Sequence, residues 1–135
     1  MSTATASPPG VSFSHEVMKP WGRELVFTPS NLPYTGKVLY VKGGHRLSLQ
    51  IHDLKQESMM LLSGTAVLQL EDETGTLAEI EMVPGMGYVV QPGRKHRLIA
   101  ISDVEVVEAS TPEVGTTIRV EDDFGRPDEL LSLGS

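Results

Sequence analysis

Four side chains in the middle of the chain are of the types that bind divalent metals. In chain order they are Gln50, His52, Glu57 and His96. Imidazole nitrogens, a carboxylate and a neutral amide oxygen form a plausible ligand set for a transition metal. The first three are closely spaced, and the last follows the turn residues Pro92-Gly93. We predict that all four converge on one ion.

Strands are the elements that would position these ligands. Alternate side chains of an extended strand share a face, so Arg46 should point to the same side as His52. A tight loop over residues 53–56 would return Glu57 beside His52 as part of a hairpin. His96 would begin a later strand at the mouth of a barrel.

Short apolar and β-branched runs separated by turn residues recur from Glu24 onward, which is typical of a β-sandwich or barrel. The predicted strands are 24–27, 37–42, 46–52, 57–62, 65–71, 77–82, 87–91, 96–101, 104–109 and 116–120. This pattern predicts an all-β fold, a small antiparallel β-barrel or jelly roll. We expect a flexible arm over 1–15, the barrel over 16–126 and a tail over 127–135, where a short helix is the competing element.

Composition excludes several classes of protein. The chain has 135 residues, a formal net charge of -7 and no cysteine. This length suits a single domain, and the lack of cysteine excludes disulfides and thiolate metal sites. The negative charge argues against nucleic-acid and membrane partners. Since no apolar run approaches the roughly 20 residues of a membrane span and no secretory signal is visible, we expect a cytoplasmic protein.

Two motifs in the expected order resemble those of the cupin superfamily. The first is Gly44-x5-Gln50-x-His52-x4-Glu57-x6-Gly64, and the second is Gly85-x5-Gln91-Pro92-Gly93-x2-His96. The flanking segments Lys19-Pro20-Trp21-Gly22 and 120–126 extend the similarity to the C-terminal cupin domain of type II mannose-6-phosphate isomerase / mannose-1-phosphate guanylyltransferase. In that family a glutamine at the position of Gln50 is usual.

The resemblance implies a small β-barrel, often a homodimer, with a divalent metal on Gln50, His52, Glu57 and His96. It also implies an isomerase that acts on a small phosphorylated sugar, such as mannose 6-phosphate. A metal with an open position would polarise the sugar carbonyl while a base moves a proton between adjacent carbons. Zinc is the favoured metal, with manganese, iron or nickel as alternatives.

Arg46 and Lys42 are the candidate catalytic residues for handling the charge of the substrate. Both lie close to the predicted metal strand, and an arginine can bind a phosphate through two hydrogen bonds. Arg46 is preferred because its position on the predicted strand directs it inward.

Two other functions stay open. Two histidines and one carboxylate are also the ligand set of non-haem iron oxygenases, so His52, Glu57 and His96 would serve such an enzyme. The family typically has the pattern His-His-His-Arg-x-Glu-His where this chain has residues His52-Asp53-Leu54-Lys55-Gln56-Glu57-Ser58. The missing imidazoles would suit a non-catalytic metal-binding or carbohydrate-binding module. We expect no guanylyl transfer, because the sequence has no counterpart of the nucleotidyltransferase domain.

Overall fold

The computed structural model describes residues 11–131, and all the regular elements in this range are β-strands. They are β1 (His15–Lys19), β2 (Gly22–Val26), β3 (Thr35–Val41), β4 (Leu49–His52), β5 (Glu57–Ser63), β6 (Ala66–Glu71), β7 (Leu77–Glu81), β8 (Gly87–Val90), β9 (His96–Ala100), β10 (Val104–Ser110), β11 (Thr116–Glu121) and β12 (Glu129–Leu130). The all-β prediction is confirmed. Within the described range no helix is long and apolar enough to cross a bilayer.

The strands form two sheets of six strands each, in the orders β1-β2-β3-β10-β5-β8 and β12-β11-β4-β9-β6-β7. Neighbouring strands run antiparallel in both sheets. The sheets face each other as a jelly-roll sandwich and do not close into a continuous barrel. The jelly-roll form of the prediction is therefore the observed one.

Apolar side chains from both sheets form the core between them. Leu39, Leu61 and Val106 of the first sheet are at most 1% exposed, as are Leu68 and Leu98 of the second. Burying one leucine side chain stabilises a fold by roughly 1.5–3 kcal/mol. This packing fixes the two sheets face to face, so inward polar side chains on the same strands are also held in place.

The connection between β4 and β5 differs from the predicted hairpin. The two strands belong to opposite sheets, and residues 53–56 carry the chain from one sheet to the other. The Oδ1 atom of Asp53 fixes this crossing because it accepts a 2.7 Å hydrogen bond from the backbone N–H of Thr116. His52 and Glu57 therefore approach each other from facing sheets rather than from neighbouring strands.

Three element boundaries also differ from the prediction. Residues 16–19, for which no strand was predicted, pair with β2 as most of β1. The predicted strand 46–52 begins only at Leu49, since Arg46 makes just an isolated bridge to Ile99. In the predicted tail, residues 129–130 pair with β11 as a short strand, so the competing helix is wrong there. Backbone pairing with another segment decides these positions, and local residue patterns do not show it.

The predicted division into arm, barrel and tail stays a prediction. Residues 1–10 of the arm and 132–135 of the tail lie outside the described residues.

Candidate metal centre

Three of the four predicted ligands come together between the two sheets. His52, Glu57 and His96 each offer one ligand atom, and these atoms lie within 4.8 Å of one another. All three residues are at most 5% exposed. This His-Glu-His group could hold a metal ion, as the motif spacing predicts.

Strand pairing explains why the three side chains meet. β4 and β9 are neighbours in one sheet, with Gln50 directly opposite His96. Glu57 begins β5 in the facing sheet and approaches from the other side. Its Oε1 atom lies 2.9 Å from Nε2 of His96 and 3.6 Å from Nε2 of His52. The carboxylate therefore faces both imidazoles.

Hydrogen bonds on the outer ring nitrogens orient the two imidazoles. Nδ1 of His96 lies 3.0 Å from the carbonyl oxygen of Arg94, and Nδ1 of His52 lies 3.0 Å from the hydroxyl of Thr117. A carbonyl can only accept, so in the neutral ring of His96 the Nε2 atom carries the lone pair. Metal-binding histidines typically donate their other N–H to a protein oxygen in this way. The donor set and its supports thus fit a divalent metal.

Gln50 lies beside the two imidazoles with its amide nitrogen towards them. Its Nε2 atom is 3.5 Å from Nε2 of His52 and 3.4 Å from Nε2 of His96, and its Oε1 atom accepts a 2.9 Å hydrogen bond from Ser48. A hydroxyl can accept as well as donate, so turning the amide by 180° would present its oxygen inward and keep the contact with Ser48. The role of Gln50 as a ligand stays a prediction.

A buried network of charges next to Glu57 was missed by the sequence analysis. Nζ of Lys55 lies 3.3 Å from Glu57, 3.1 Å from Glu108 and 3.3 Å from Glu113. Nζ of Lys37 lies 2.6 Å from Glu113 and 3.7 Å from Glu108. Lys55 stands where the resembled family has an arginine. This retained positive charge was the sequence signal that could have indicated the network. The other members come from strands and loops far apart in the chain.

Burial and charge set the protonation states around the site. Burial raises the pKa of Glu57, but the charge of Lys55 and hydrogen bonds from both histidines bring it well below its ordinary value. Burial lowers the pKa of His52. Burial also opposes a charge on His96, but hydrogen bonding to Glu57 and its charge raise the pKa of that residue. Burial, together with the charge of Glu57, raises the pKa of Glu108 to about 7. At neutral pH an ionised Glu57 therefore faces a neutral His52, as metal binding requires, whereas on His96 a metal would compete with a proton that Glu57 stabilises.

A cavity of about 210 Å³ opens beside this group. Gln50 and His52 form part of its wall, next to their register partners on β11, Arg119 and Thr117. Charged side chains of both signs line much of the rest, namely Lys19, Glu24, Lys37, Lys55, Glu108, Glu113, Arg126 and Glu129. Apolar side chains complete the wall, among them Val17, Trp21, Val26, Leu39, Leu47 and Leu131. The charged part of this wall suits the polar groups of a small ligand.

Arg46 and Lys42 lie away from this cavity. Arg46 donates hydrogen bonds of 2.7 and 2.9 Å to Asp123, and its side chain is 43% exposed. Lys42 is exposed, and neither residue belongs to the cavity wall. Alternation along a strand would direct Arg46 inward, but the regular strand begins only at Leu49. The catalytic roles of both residues stay predictions.

Comparison with known proteins identifies relatives over most of the chain. The sequence model of the family described as mannose-6-phosphate isomerase C-terminal matches residues 10–127. Mannose-1-phosphate guanylyltransferase ManC of Salmonella typhimurium is 30% identical over 116 residues, which are 82% of this chain and 23% of that protein. Alginate biosynthesis protein AlgA of Pseudomonas aeruginosa is 30% identical over 118 residues, 84% of this chain and 24% of that protein. The chain thus spans about a quarter of the length of these relatives.

Solved structures share the fold at lower identity. Oxalate decarboxylase from Bacillus subtilis superposes with a TM-score of 0.66 at 19% identity, over 80% of this chain and 30% of that one. The capsular polysaccharide assembling protein CapF from Staphylococcus aureus gives a TM-score of 0.63 at 16% identity, over 88% and 34% of the two chains. At such identities the likeness shows the fold alone.

Proposed function

We propose that this chain, which belongs to the mannose-6-phosphate isomerase C-terminal family, is a metal-dependent cupin that isomerises a phosphorylated sugar. One observation carries the proposal. The buried His-Glu-His group adjoins, through His52, a cavity whose wall includes charged side chains of both signs. The two relatives described above are named for guanylyl transfer and for alginate biosynthesis, so isomerisation itself rests on the family description and on this site.

The metal would be held by His52, Glu57 and His96, with Gln50 as a neutral fourth ligand and zinc as the favoured ion. When bound, it supplies Lewis-acid chemistry that polarises a carbonyl group. The chain contributes the orientation of the ligands, since the Thr117 hydroxyl and a backbone carbonyl hold the two imidazole rings from behind. Burial of the three ligands limits their own contact with bulk water.

The cationic side chains of the cavity wall favour the proposal that the substrate is phosphorylated. Lys19, Arg119 and Arg126 line the cavity together with Gln50. Guanidinium and ammonium groups are the usual partners of phosphate. We keep Arg46 as a further candidate for substrate binding, although it lies outside the wall.

The direct test is conversion of mannose 6-phosphate to fructose 6-phosphate by the protein loaded with zinc, manganese, iron or nickel. We expect metal-dependent turnover that Glu57→Gln abolishes, because this change removes the anionic ligand. Glu81→Gln is the matched control, since Glu81 is an exposed glutamate at the end of β7 and should leave turnover unchanged. The absence of turnover with every metal would contradict the proposal.

The metal also separates the proposal from the oxygenase that the same ligand set allows. Turnover with zinc or manganese in the absence of oxygen supports isomerisation. Dependence on iron and on oxygen consumption would overturn it in favour of oxidation.

A further inference from the structure

Arg119 is a half-buried arginine on the cavity wall whose hydrogen-bonding capacity is only partly used. Its side chain is 9% exposed. Nη1 donates a 2.6 Å hydrogen bond to the carbonyl of Pro127, and Nη2 donates a 2.9 Å hydrogen bond to Glu129. Nε is buried and has no partner among the described residues. Buried polar groups in native folds are almost always paired, so an unpaired guanidinium N–H indicates a missing partner.

Two other arginines of the chain show what a complete pairing looks like. Arg46 donates through both Nε and Nη2 to the carboxylate of Asp123. Arg126 donates through the same two atoms to Asp122. In Arg119 this edge of the guanidinium is half occupied, because Glu129 accepts from Nη2 alone. One more oxygen on the same anion would complete it.

Arg119 and His52 of the candidate metal centre share the wall of one cavity. Arg119 is the register partner of Gln50 on the neighbouring strand. Directly opposite residues of an antiparallel pair have Cα atoms about 4.5–5.5 Å apart and side chains on the same face. An anion on Arg119 would therefore lie in the same cavity as a ligand group on His52.

Glu129 has the properties of a group that a ligand can displace. It lies on β12, a strand of two residues at the edge of its sheet, and its side chain is 45% exposed. Burial opposes its ionisation, but the hydrogen bond from Arg119 and the charge of Lys19 hold the pKa of Glu129 below its ordinary value. A carboxylate therefore occupies half of the guanidinium edge at neutral pH.

We propose that Arg119 is the anion subsite of the cavity and that Glu129 is an internal counter-ion which the phosphate of the ligand displaces. The identity of the ligand as a phosphorylated sugar rests on the proposed function. The subsite itself rests on Arg119, its unpaired Nε and its position on the wall. The phosphate would receive hydrogen bonds from both Nε and Nη2, which is the pairing that the other two arginines make with carboxylates.

The test compares binding of mannose 6-phosphate and of mannose by calorimetry, with inorganic phosphate as a second probe. We expect Arg119→Met to weaken binding of both phosphate compounds by about tenfold or more, because it removes charged hydrogen bonds. Binding of mannose should not change. Arg23→Met is the matched control, since Arg23 forms an exposed ion pair with Glu16 away from the cavity and should bind as the unaltered chain does.

Glu129→Gln provides an independent test that leaves the arginine in place. Removal of the competing charge should strengthen binding of mannose 6-phosphate several-fold, and unchanged or weaker binding would overturn the role of Glu129. If Arg119→Met does not fold, Arg119→Lys keeps the charge without the two-atom edge and should still weaken binding. Equal binding by the Arg119 and Arg23 variants, or no binding of phosphate by the unaltered chain, would overturn the subsite.

These measurements need no turnover, so the subsite and the proposed function can fail separately. Phosphate binding that depends on Arg119 in a protein without isomerase activity would leave the subsite standing and contradict the isomerase. Isomerase activity together with phosphate binding that Arg119→Met leaves unchanged would support the proposed function and overturn the subsite.

Discussion

His52 and His96 direct their Nε2 atoms at a buried carboxylate because oxygen atoms hold their Nδ1 atoms from behind. The two supports differ in kind, since one is the hydroxyl of Thr117 and the other is a backbone carbonyl. A side-chain support can be removed by substitution, whereas a backbone support cannot. Thr117 is therefore the accessible test of how far the orientation of the ring matters.

We predict that Thr117→Val weakens metal affinity by about tenfold or more, which is the usual effect of removing an outer hydrogen-bond partner of a metal ligand. Valine has nearly the same shape, so the fold should be kept. The measurement is competition with a chelating dye. Thr116→Val is the control, because the side chain of the neighbouring threonine makes no hydrogen bond in the described structure; an equal loss in both variants would contradict the prediction.

The histidines also predict how acid acts on metal binding. Protons and metal compete for the same Nε2 atoms, so affinity is full at high pH. It begins to fall above the ordinary imidazole pKa of about 6.5, because the pKa of His96 is raised. Glu57 raises the pKa of His96, so this ring should take up a proton before His52, whose pKa burial lowers. Glu57 stays ionised in this window because its pKa is well below the ordinary value.

Equilibrium dialysis at pH 7.5 and pH 5.0 measures this effect directly. A His45→Gln variant should show the same loss of metal in acid, since His45 stacks on Phe124 outside the His-Glu-His group. Metal content that is unchanged at pH 5.0 would show that His52 and His96 are not ligands.

Motif spacing predicted the convergence of His52, Glu57 and His96 but not its geometry, since His52 and Glu57 were expected on one hairpin and lie in facing sheets. It could not predict the network of Lys37, Lys55 and their glutamates. Those partners belong to different strands, and a charged residue in an amphipathic strand is normally exposed. Lys37, Glu108 and Glu57 meet because β3, β10 and β5 are neighbours in one sheet, and Lys55 reaches them from the segment that crosses between the sheets.

Among the elements, the strand runs were predictable and the sheet assignments were not. β-branched and aliphatic runs located most strands, but β1 and β12 depend on backbone pairing with β2 and β11. The inward direction expected for Arg46 failed to appear for the same reason, since regular pairing of that strand begins three residues later at Leu49.

Gly64 of the first motif occupies a turn position where the structure requires a glycine. Gly64 has a positive φ of 87°, and a Cβ atom there would collide with the backbone carbonyl of Asp103. Gly75 has a similar φ of 83° with open space around it. We predict that Gly75→Ala destabilises the fold by about 1–2 kcal/mol through backbone conformation alone.

Gly64→Ala should destabilise the fold by more, because the same conformational term is joined by the collision. Chemical denaturation of both variants checks this difference. Equal free energies of unfolding would show that the loop around Asp103 moves aside without cost. The motif glycine would then need another explanation.

At the scale of the whole molecule, a bound metal should stabilise the fold. An ion held by the native state and not by the unfolded chain adds about 2.7 kcal/mol when its free concentration is 100 times its Kd. We predict that chelation lowers the melting temperature of the metal-loaded protein by several degrees, as expected for a domain of this size. Glu57→Gln is the control, since its melting temperature should respond little to the chelator.

If chelation leaves the melting temperature of the unaltered chain unchanged, the result would favour a non-catalytic module without a metal. The homodimer and the cytoplasmic location stay predictions, and sedimentation equilibrium of the full chain tests the first of them.

The crossing at residues 53–56 connects the two sheets at the candidate metal centre. His52 and Glu57 belong to opposite sheets of the sandwich. An ion bound to both would therefore cross-link the sheets and restrict the motion of one relative to the other. Loading should then slow amide hydrogen exchange on β4 and β5 together, although these strands share no backbone ladder. Catalysis and mechanical stiffness of the domain would depend on the same three atoms.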